Sequence, residues 1–499
     1  MPLPDTKTIF LPAILGLALF ASKLYASDNP FTPPNFPAPK FPGRTYNVRD
    51  FGASGGGAAN DTAAINGAIQ KCNADGGGTV YFPKGQYAAG SIHLLSNVRL
   101  MLDAQAVIFG LRGAFELPEP NPWRKYQDGG HSHFHDSLLY GENIENVAIV
   151  GGQINGGHDA IGHGDPKPGN GDKLITVKVG KNLDFENITH EKGGHFCYLL
   201  DDCQNVTIHG VVIKESRDAV DLMGCSDVRI FGCNFTGCSD DTIGVKSDFA
   251  LGRRINSENI YVWDSYFESG CNGLQFGSET AGDFHNCNFW NVRIGRAMKA
   301  GISITSCDSA VIDDVNYSNI VVTGAACPIY FLIMDRLRTG DPGARVGTIK
   351  NVHVQDVTIT DCAAGRQGPV QTATISGWKG SDLENITFDN VKIDYPGGFA
   401  DATAADIVPP YPRDYSPRSF GLRPAAGLYV RHIKNLTLKN FQITFDRPDA
   451  RPSLVMYDAD GVTLDHFDAQ KSSGGEIMRN QEVNNLTIED SAGLSNLKE

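Results

Sequence analysis

"NVTIHGVVIKESRDAVDLMGCSDVRIFGCNFTGCSDDTIGVKS", residues 205–247, says one phrase twice: Asn205 precedes V-T-I, and 22 residues later Asp227 precedes V-R-I. An Asn, Asp or Gly before an apolar–x–apolar triplet recurs as "NVAI" at Asn146, "NLDF" at Asn182, "NIYV" at Asn259, "DVNY" at Asp314 and "NVHV" at Asn351. It returns as "NITF" at Asn385, "NLTL" at Asn435, "GVTL" at Gly461 and "NLTI" at Asn485, the closest copies being 22 to 26 residues apart. Short β-branched strands with Gly, Asn and Asp corners at that spacing are the mark of a solenoid. The expected fold is all-β, a right-handed parallel β-helix whose coils stack about 4.8 Å apart through backbone hydrogen bonds. Each coil contacts only its neighbours, so the core lengthens without thickening. Residues 27–499 therefore read as one domain, although a chain of 499 residues would by length alone suggest about three.

A solenoid end needs a cap. "NDTAAINGAIQKCNADGGGTVYFPKG" supplies a helix there, within a cap around 46–110: Asp61 as N-cap, Ala64, Ile65, Ala68 and Ile69 as its apolar stripe, and glycines 76–78 as its end. Segments 118–135 and 400–424 break the repeat with Pro, charge and aromatics, as loops walling a groove would. Residues 1–26 carry Lys7, an apolar run and small residues near Ala26, the pattern of a signal peptide, which points to a secreted or periplasmic protein. No later stretch is long and apolar enough to span a membrane. The net charge of −14 argues against nucleic acid as a partner.

The odd count of 11 cysteines suits an oxidising compartment, and no C-x-x-C spacing indicates zinc. Cys203 and Cys225 should stack on consecutive coils, as a disulfide or as buried thiols. Asn187, Asn205, Asn234, Asn316, Asn385, Asn435 and Asn485 begin N-x-S/T triplets, read as inward Asn ladders in preference to glycosylation sites.

Side chains about one coil apart in sequence share a face. His195, Asp218 and Asp240 are separated by 23 and 22 residues and should form a column, with Asp241 beside them. Crowded carboxylates raise at least one pKa, leaving a protonated acid beside ionised neighbours. Glycoside hydrolysis needs that mixture. Turn-capping aspartates are the plainer reading of an Asp-Asp pair, and a calcium-dependent lyase with Lys246 or Arg217 as base is a third. A carbohydrate-binding solenoid without catalysis is a fourth.

"SRDAVDL" followed by "SDDTIGVKS" resembles the N-T-D…D-D-x-x-x-x-K-S signature of glycoside hydrolase family 28, the polygalacturonases and rhamnogalacturonan hydrolases. The likeness extends from "YNVRDFGASGGGAANDTAAINGAI" through "GLQFGSETAGDF" to "AAGLYVRHIKNLTLKN". The resemblance implies an inverting hydrolase of acidic plant cell-wall polysaccharide, without cofactor or metal, acting as a monomer. It casts Asp241 as general acid and Asp218 and Asp240 as holders of the water. Being neighbours on a strand, Asp240 and Asp241 need a bulge to face one groove.

The chain departs from that family where polygalacturonases carry G-H-G: Cys271 and Asn272 stand there. The family's R-I-K, which grips a galacturonate carboxylate, has no clean counterpart, only Arg296 and Lys299 in a shifted register. A uronate at the cleavage point wants cations in reach and rhamnose does not. Rhamnogalacturonan is thus the expected substrate, with polygalacturonase action on homogalacturonan as the alternative. Substrate contacts are expected from His195, Arg217, Lys246, Asn272, Glu279 and Lys299, Arg217 either orienting Asp218 or touching sugar. His131, His133 and His135 alternate and would share a face in an extended chain, and Trp123, Tyr126, Tyr411 and Tyr415 are candidates for stacking on sugar rings.

Overall fold

A computed structural model of the chain describes residues 31–157, 161–162, 167–366 and 368–498; the expected signal peptide lies outside them. Asn35–Glu499 forms one compact unit. It is an almost all-β, right-handed parallel β-helix whose strands pair in parallel with those of the coils before and after them, except that the last, Leu497–Lys498, folds back antiparallel on Met478–Glu489. Lys173–Glu186, for example, lies between Ser137–Val150 and Phe196–His209.

The repeated phrase builds the core directly. Its first apolar residue stacks coil upon coil as Val147, Leu183, Val206, Val228, Ile260, Cys287, Val315, Val352, Ile386, Leu436, Val462 and Leu486. All are buried. Burying a side chain of this size stabilises by about 1.5–3 kcal/mol.

The polar residue that opens each phrase turns the chain. Asn146, Asn182, Asn205, Asn259, Asn351, Asn385, Asn435 and Asn485 all have φ between 52° and 57°, a left-handed conformation that Asn tolerates better than other residues with a Cβ. Their side chains then bond along the stack. Asn146 donates to Asn97 at 3.0 Å, Asn182 to Asn146 at 3.0 Å and Asn205 to Asn182 at 2.6 Å; higher up, Asn385 donates to Asn351 and Asn435 to Asn385, both at 2.9 Å. The ladders run along a corner rather than inside, and Asn385 and Asn435 are exposed. Two of the seven sequon asparagines stand apart: Asn187 bonds its neighbour Glu186, and Asn234 is exposed.

The capping helix spans Thr62–Ala74 and buries Ile65, Ala68, Ile69 and Cys72. Its N-terminus differs from expectation. Asn60 accepts from Thr62 N at 3.0 Å, while the Asp61 carboxylate turns away to accept from Ser54 N and Gly55 N. All eleven cysteines are free and buried, so Cys203 and Cys225 are stacked thiols.

Candidate active site

The groove is floored by Asp218–Met223, Ile243–Ser247, Asn272–Thr280, Ala300–Ser306 and Ile329–Ile333, each paired to the next. Registry decides which side chains meet, and it differs by one residue from the column read in the sequence. Phe196, not His195, pairs with Asp218. Counting back from the Val220–Ile243 and Ile243–Leu274 pairs puts Asp241 over Asp218 and Asn272 over Asp241. Asp240 belongs to the neighbouring column, where its N–H donates to Arg217 O at 2.8 Å. The coil from 218 to 241 holds one residue more than the coil from 196 to 218, and equal spacing cannot register that step.

A register shift between Phe235 and Cys238 leads into the pair, and Asp240 and Asp241 face one cleft because the chain is not a strand there. Between Asn234–Cys238 and Ile243–Ser247 it bends through 239–242, freeing both side chains from alternation. The bend nests closely on the next coil: a Cβ on Gly270 would lie 2.5 Å from Ser239 O.

The cleft, about 220 Å³, is lined by the aspartate trio, Arg217, Lys246 and Glu279 together with Asp128, His131, Ser278, Arg336, Arg338 and Tyr415. The side chain of Asp240 is the most accessible of the trio at 19%, against 9% for Asp241 and 2% for Asp218. Asp218 Oδ1 accepts from Asp241 N at 3.1 Å, while Arg217 reaches Asp218 Oδ2 at 2.9 Å and Asp240 Oδ2 at 3.2 Å. Asn272 donates to Asp241 Oδ1 twice, from its backbone N at 3.1 Å and its side chain at 2.7 Å. That leaves Asp241 Oδ2 for a proton. Burial, reinforced by Asp240, pushes the Asp241 carboxyl up, and burial with Asp221 and Asp240 pushes Asp218 well above the usual range.

A second carboxylate and its cation stand behind the trio. Lys246 Nζ lies 2.6 Å from Asp221 Oδ2 and 4.0 Å from Asp241 Oδ2. Burial works against the Lys246 charge, but Asp221, Asp218 and Asp241 outweigh it and hold the ammonium well above its ordinary value. His131 Nε2 approaches the same Asp221 oxygen at 3.3 Å, and its Nδ1 lies 3.7 Å from Asp248. On the other flank Glu279 takes Arg338 Nη2 at 2.6 Å, while Arg336 is committed to Asp308 and to Ser278.

Of the residues expected to touch substrate, Arg217, Lys246 and Glu279 line the cleft, and Asn272 buttresses Asp241. Lys299 is buried with its Nζ 3.8 Å from the Tyr415 ring centroid, and the nearby Asp241 favours its charged form against the cost of burial. His195 is set back. It stacks on Phe196 and pairs with Asp172 at 3.1 Å. Arg296 is exposed. The three alternating histidines part company: His131 enters the cleft, His133 joins a buried cluster with Asp136 and Lys173, and His135 meets Glu119 and Glu142. Trp123, Tyr126 and Phe249 pack on one another and Tyr411 on Trp378, so of the four aromatic candidates Tyr415 alone lines this cleft.

Asp128, His131, Asp221, Arg336, Arg338 and Tyr415 complete the site; His131 and Tyr415 stood among the sequence candidates, and the other four were not singled out. Five of the six come from excursions whose length and path no periodicity constrains. Asp221 carries the one usable signal, since it sits three residues after Asp218 on a strand.

Two groups of side chains bring potential metal-binding atoms together in or near the site. His133, Asp136 and Asp172 already surround the Lys173 ammonium. In Asp240, Asp241 and Cys271 burial keeps the thiol protonated, which makes it a poor ligand.

Solved structures with the same fold include an exopolygalacturonase from Thermotoga maritima (TM-score 0.58, 20% identity, covering 72% of this chain and 88% of that one). Another is the family 28 exopolygalacturonase of Yersinia enterocolitica (TM-score 0.59, 16% identity, 89% and 78%). Among curated relatives, an endo-polygalacturonase of Pectobacterium parmentieri is 23% identical over 361 residues, 67% of this chain and 85% of that protein. A probable polygalacturonase of Vitis vinifera is 25% identical over 305 residues, and the chain spans about half its length. A profile described as rhamnogalacturonase A/epimerase, pectate lyase-like, matches residues 45–110, the cap. The profile of glycosyl hydrolases family 28 matches residues 83–409, well over half the chain and the whole aspartate site, and the chain belongs to that family.

Proposed function

We propose that this protein is a pectin-degrading hydrolase that cleaves galacturonosyl bonds of homogalacturonan with inversion. Asp241 donates its Oδ2 proton to the leaving oxygen. Asp218 and Asp240 orient and deprotonate the attacking water on the opposite face of the sugar. Lys299 receives the carboxylate of the bound uronate.

The observation that carries the choice of substrate is Lys299. Among the described residues it is the buried lysine of this site with no carboxylate within 4.0 Å, and it lies beside Tyr415 and the general acid. The expectation of rhamnose at the cleavage point rested on a lack of cations there. Lys299 removes that premise. The lyase reading needs an uncharged base, yet Lys246 and Arg217 are both held in their charged forms by carboxylates.

The test follows products of homogalacturonan and of rhamnogalacturonan by proton NMR as they form. Galacturonate ends of inverted configuration, with no ultraviolet-absorbing unsaturated product, are expected from homogalacturonan. Faster release from rhamnogalacturonan would reverse the assignment of substrate. Lys299→Met should lower kcat/KM on homogalacturonan by about 100-fold, since a charge-assisted contact to a carboxylate stabilises by roughly 1.5–3 kcal/mol.

A further inference from the structure

Arg217 occupies a place where its family's signature, N-T-D, has a threonine, and its surroundings define what it does. Its backbone lies beneath Asp240 in the same column, with Arg217 O accepting the Asp240 N–H at 2.8 Å. The guanidinium therefore rises beside two carboxylates from consecutive coils, one branch at 2.9 Å from Asp218 Oδ2 and the other at 3.2 Å from Asp240 Oδ2. Its plane rests over the Phe196 ring at 5.7 Å. A planar fork matches two oxygens with its branches fixed relative to one another, which an ammonium on a flexible stem does not do.

We propose that Arg217 is a positioning residue that clamps Asp218 and Asp240 into one water-orienting unit. This rests on the assignment of those two aspartates as the water-holding pair. Asp218 and Asp240 carry like charges in a cleft that also faces Asp128, Asp221 and Asp241. Lys246, the other cation near them, is committed to Asp221 at 2.6 Å, and His195 to Asp172 at 3.1 Å. Arg217 is thus the cation in contact with both members of the pair. Burial with Asp221 and Asp240 already raises Asp218 against the opposing charge of Arg217; without the guanidinium a proton on the pair is favoured further, and a protonated carboxyl cannot take a proton from water. Because one branch of the guanidinium serves each carboxylate, the clamp also fixes their separation.

The loss of a cation destabilises the ionised form, so the pKa of the pair rises. The acidic limb of the kcat/KM–pH profile, which reports an essential base in the free enzyme, must then move to higher pH. The experiment measures that profile and the KM on galacturonan oligomers for the wild-type chain, Arg217→Gln and Arg217→Lys, with thermal melts confirming that each variant is folded. Arg217→Gln is expected to move the acidic limb up by about one to two pH units and to lower kcat at its optimum more than tenfold, with KM changed less than threefold. Arg217→Lys should restore most of the limb but not the optimal kcat, because it returns charge without the fork. An unmoved limb with a raised KM in both variants would make Arg217 a sugar contact and overturn the proposal. A wild-type protein inactive on both pectic polymers would instead remove the functional reading on which the clamp depends. If Arg217→Gln does not fold, Arg217→Lys decides alone: a wild-type kcat at its optimum overturns the clamp.

Discussion

Two columns climb the same solenoid and solve stacking in opposite ways. Along one corner, Asn97, Asn146, Asn182 and Asn205 hand a hydrogen bond from coil to coil, Asn146 and Asn182 each donating to one neighbour and accepting from the other. Beside the groove, Asp218 and Asp241 also lie one over the other, but the two carboxyls are joined only through the Asp241 backbone N–H and not side chain to side chain. The amide column is complete within the repeat. The aspartate column needs partners from outside it: Arg217 and Asn272 from adjacent coils, His131 from the loop at 118–135, Tyr415 from the loop at 400–424, and Arg336 and Arg338 from the excursion after Ile329–Ile333. A repeat can stack neutral amides indefinitely. It can stack acids only where irregular segments converge, and that is where the site lies.

Asp241→Asn sharpens the contrast most. It should cut turnover of homogalacturonan at least a thousandfold, as expected when the proton donor of a concerted cleavage is removed, while the melting temperature stays level, since a neutral amide of the same shape replaces a carboxyl that burial already pushes towards its neutral form. Reducing-end assays and calorimetry on the same sample check both halves. A large fall in melting temperature would make the aspartates structural corner residues.

Breaking the amide column should do the reverse. Asn182→Ala removes a hydrogen bond to Asn146 and another from Asn205 and puts Ala at φ 55°. The expected loss is about 3–4 kcal/mol, from roughly 1 kcal/mol for each of the two hydrogen bonds and 1–2 kcal/mol for the left-handed backbone. Denaturant titration measures it, and kcat of the folded fraction should be unchanged. Asn182→Gly keeps the turn and loses the bonds, so it should recover only the backbone share.

Why the sequence exposed one column so much better follows from the same contrast. Asn146 or Asn385 is the first letter of a phrase repeated along the chain, so its role is written many times. Asp218, Asp240 and Asp241 are written once, yet their family signature and near-regular spacing still brought them to one place. The coil length between Asp218 and Asp241 shifted the pairing by a single residue, and that residue separates Phe196 from His195 as the partner of Asp218. The places of His131 and Arg338 were illegible because an excursion's path depends on its packing, which no period encodes. The bend at 239–242 was hidden for a related reason, since alternation predicts faces only while the chain remains a strand.

A buried carboxyl behind the trio gives a smaller and more selective effect. Asp248 is pushed up to about 6, chiefly by burial, despite the opposing influence of His131 and the Ala250 N–H. Its folded value exceeds that of the unfolded chain, roughly 3.9, so its contribution favours the fold below about pH 4 and is lost as pH rises towards 6. Two units correspond to about 2.7 kcal/mol. Asp248→Asn should flatten the fall in unfolding free energy between pH 4 and 6 by about that amount, and urea titrations at several pH values will show it. An unaltered slope would mean that Asp248 is ionised throughout, with the His131 charge fully compensating it.

The smallest expected effect concerns a third column, the thiols. Cys203 and Cys225 stack on consecutive coils, where Cys203 Sγ donates to Val177 O at 3.7 Å and Cys225 Sγ to Leu200 O at 3.2 Å. Burial holds the Cys203 thiol well above its usual pKa, and Cys225 beside it adds to the shift. A protonated thiol is not the nucleophile of disulfide exchange, and closing the pair would also cost two buried S–H contacts. A reductant such as dithiothreitol should therefore leave the melting temperature unchanged to within about 1 °C, whereas loss of a native disulfide, at about 2–5 kcal/mol, would lower it by several degrees. A fall of that size would place a bond between the two sulfurs and divide the thiol column from the amide one: the asparagines would be joined by exchangeable hydrogen bonds and the cysteines by a covalent strut.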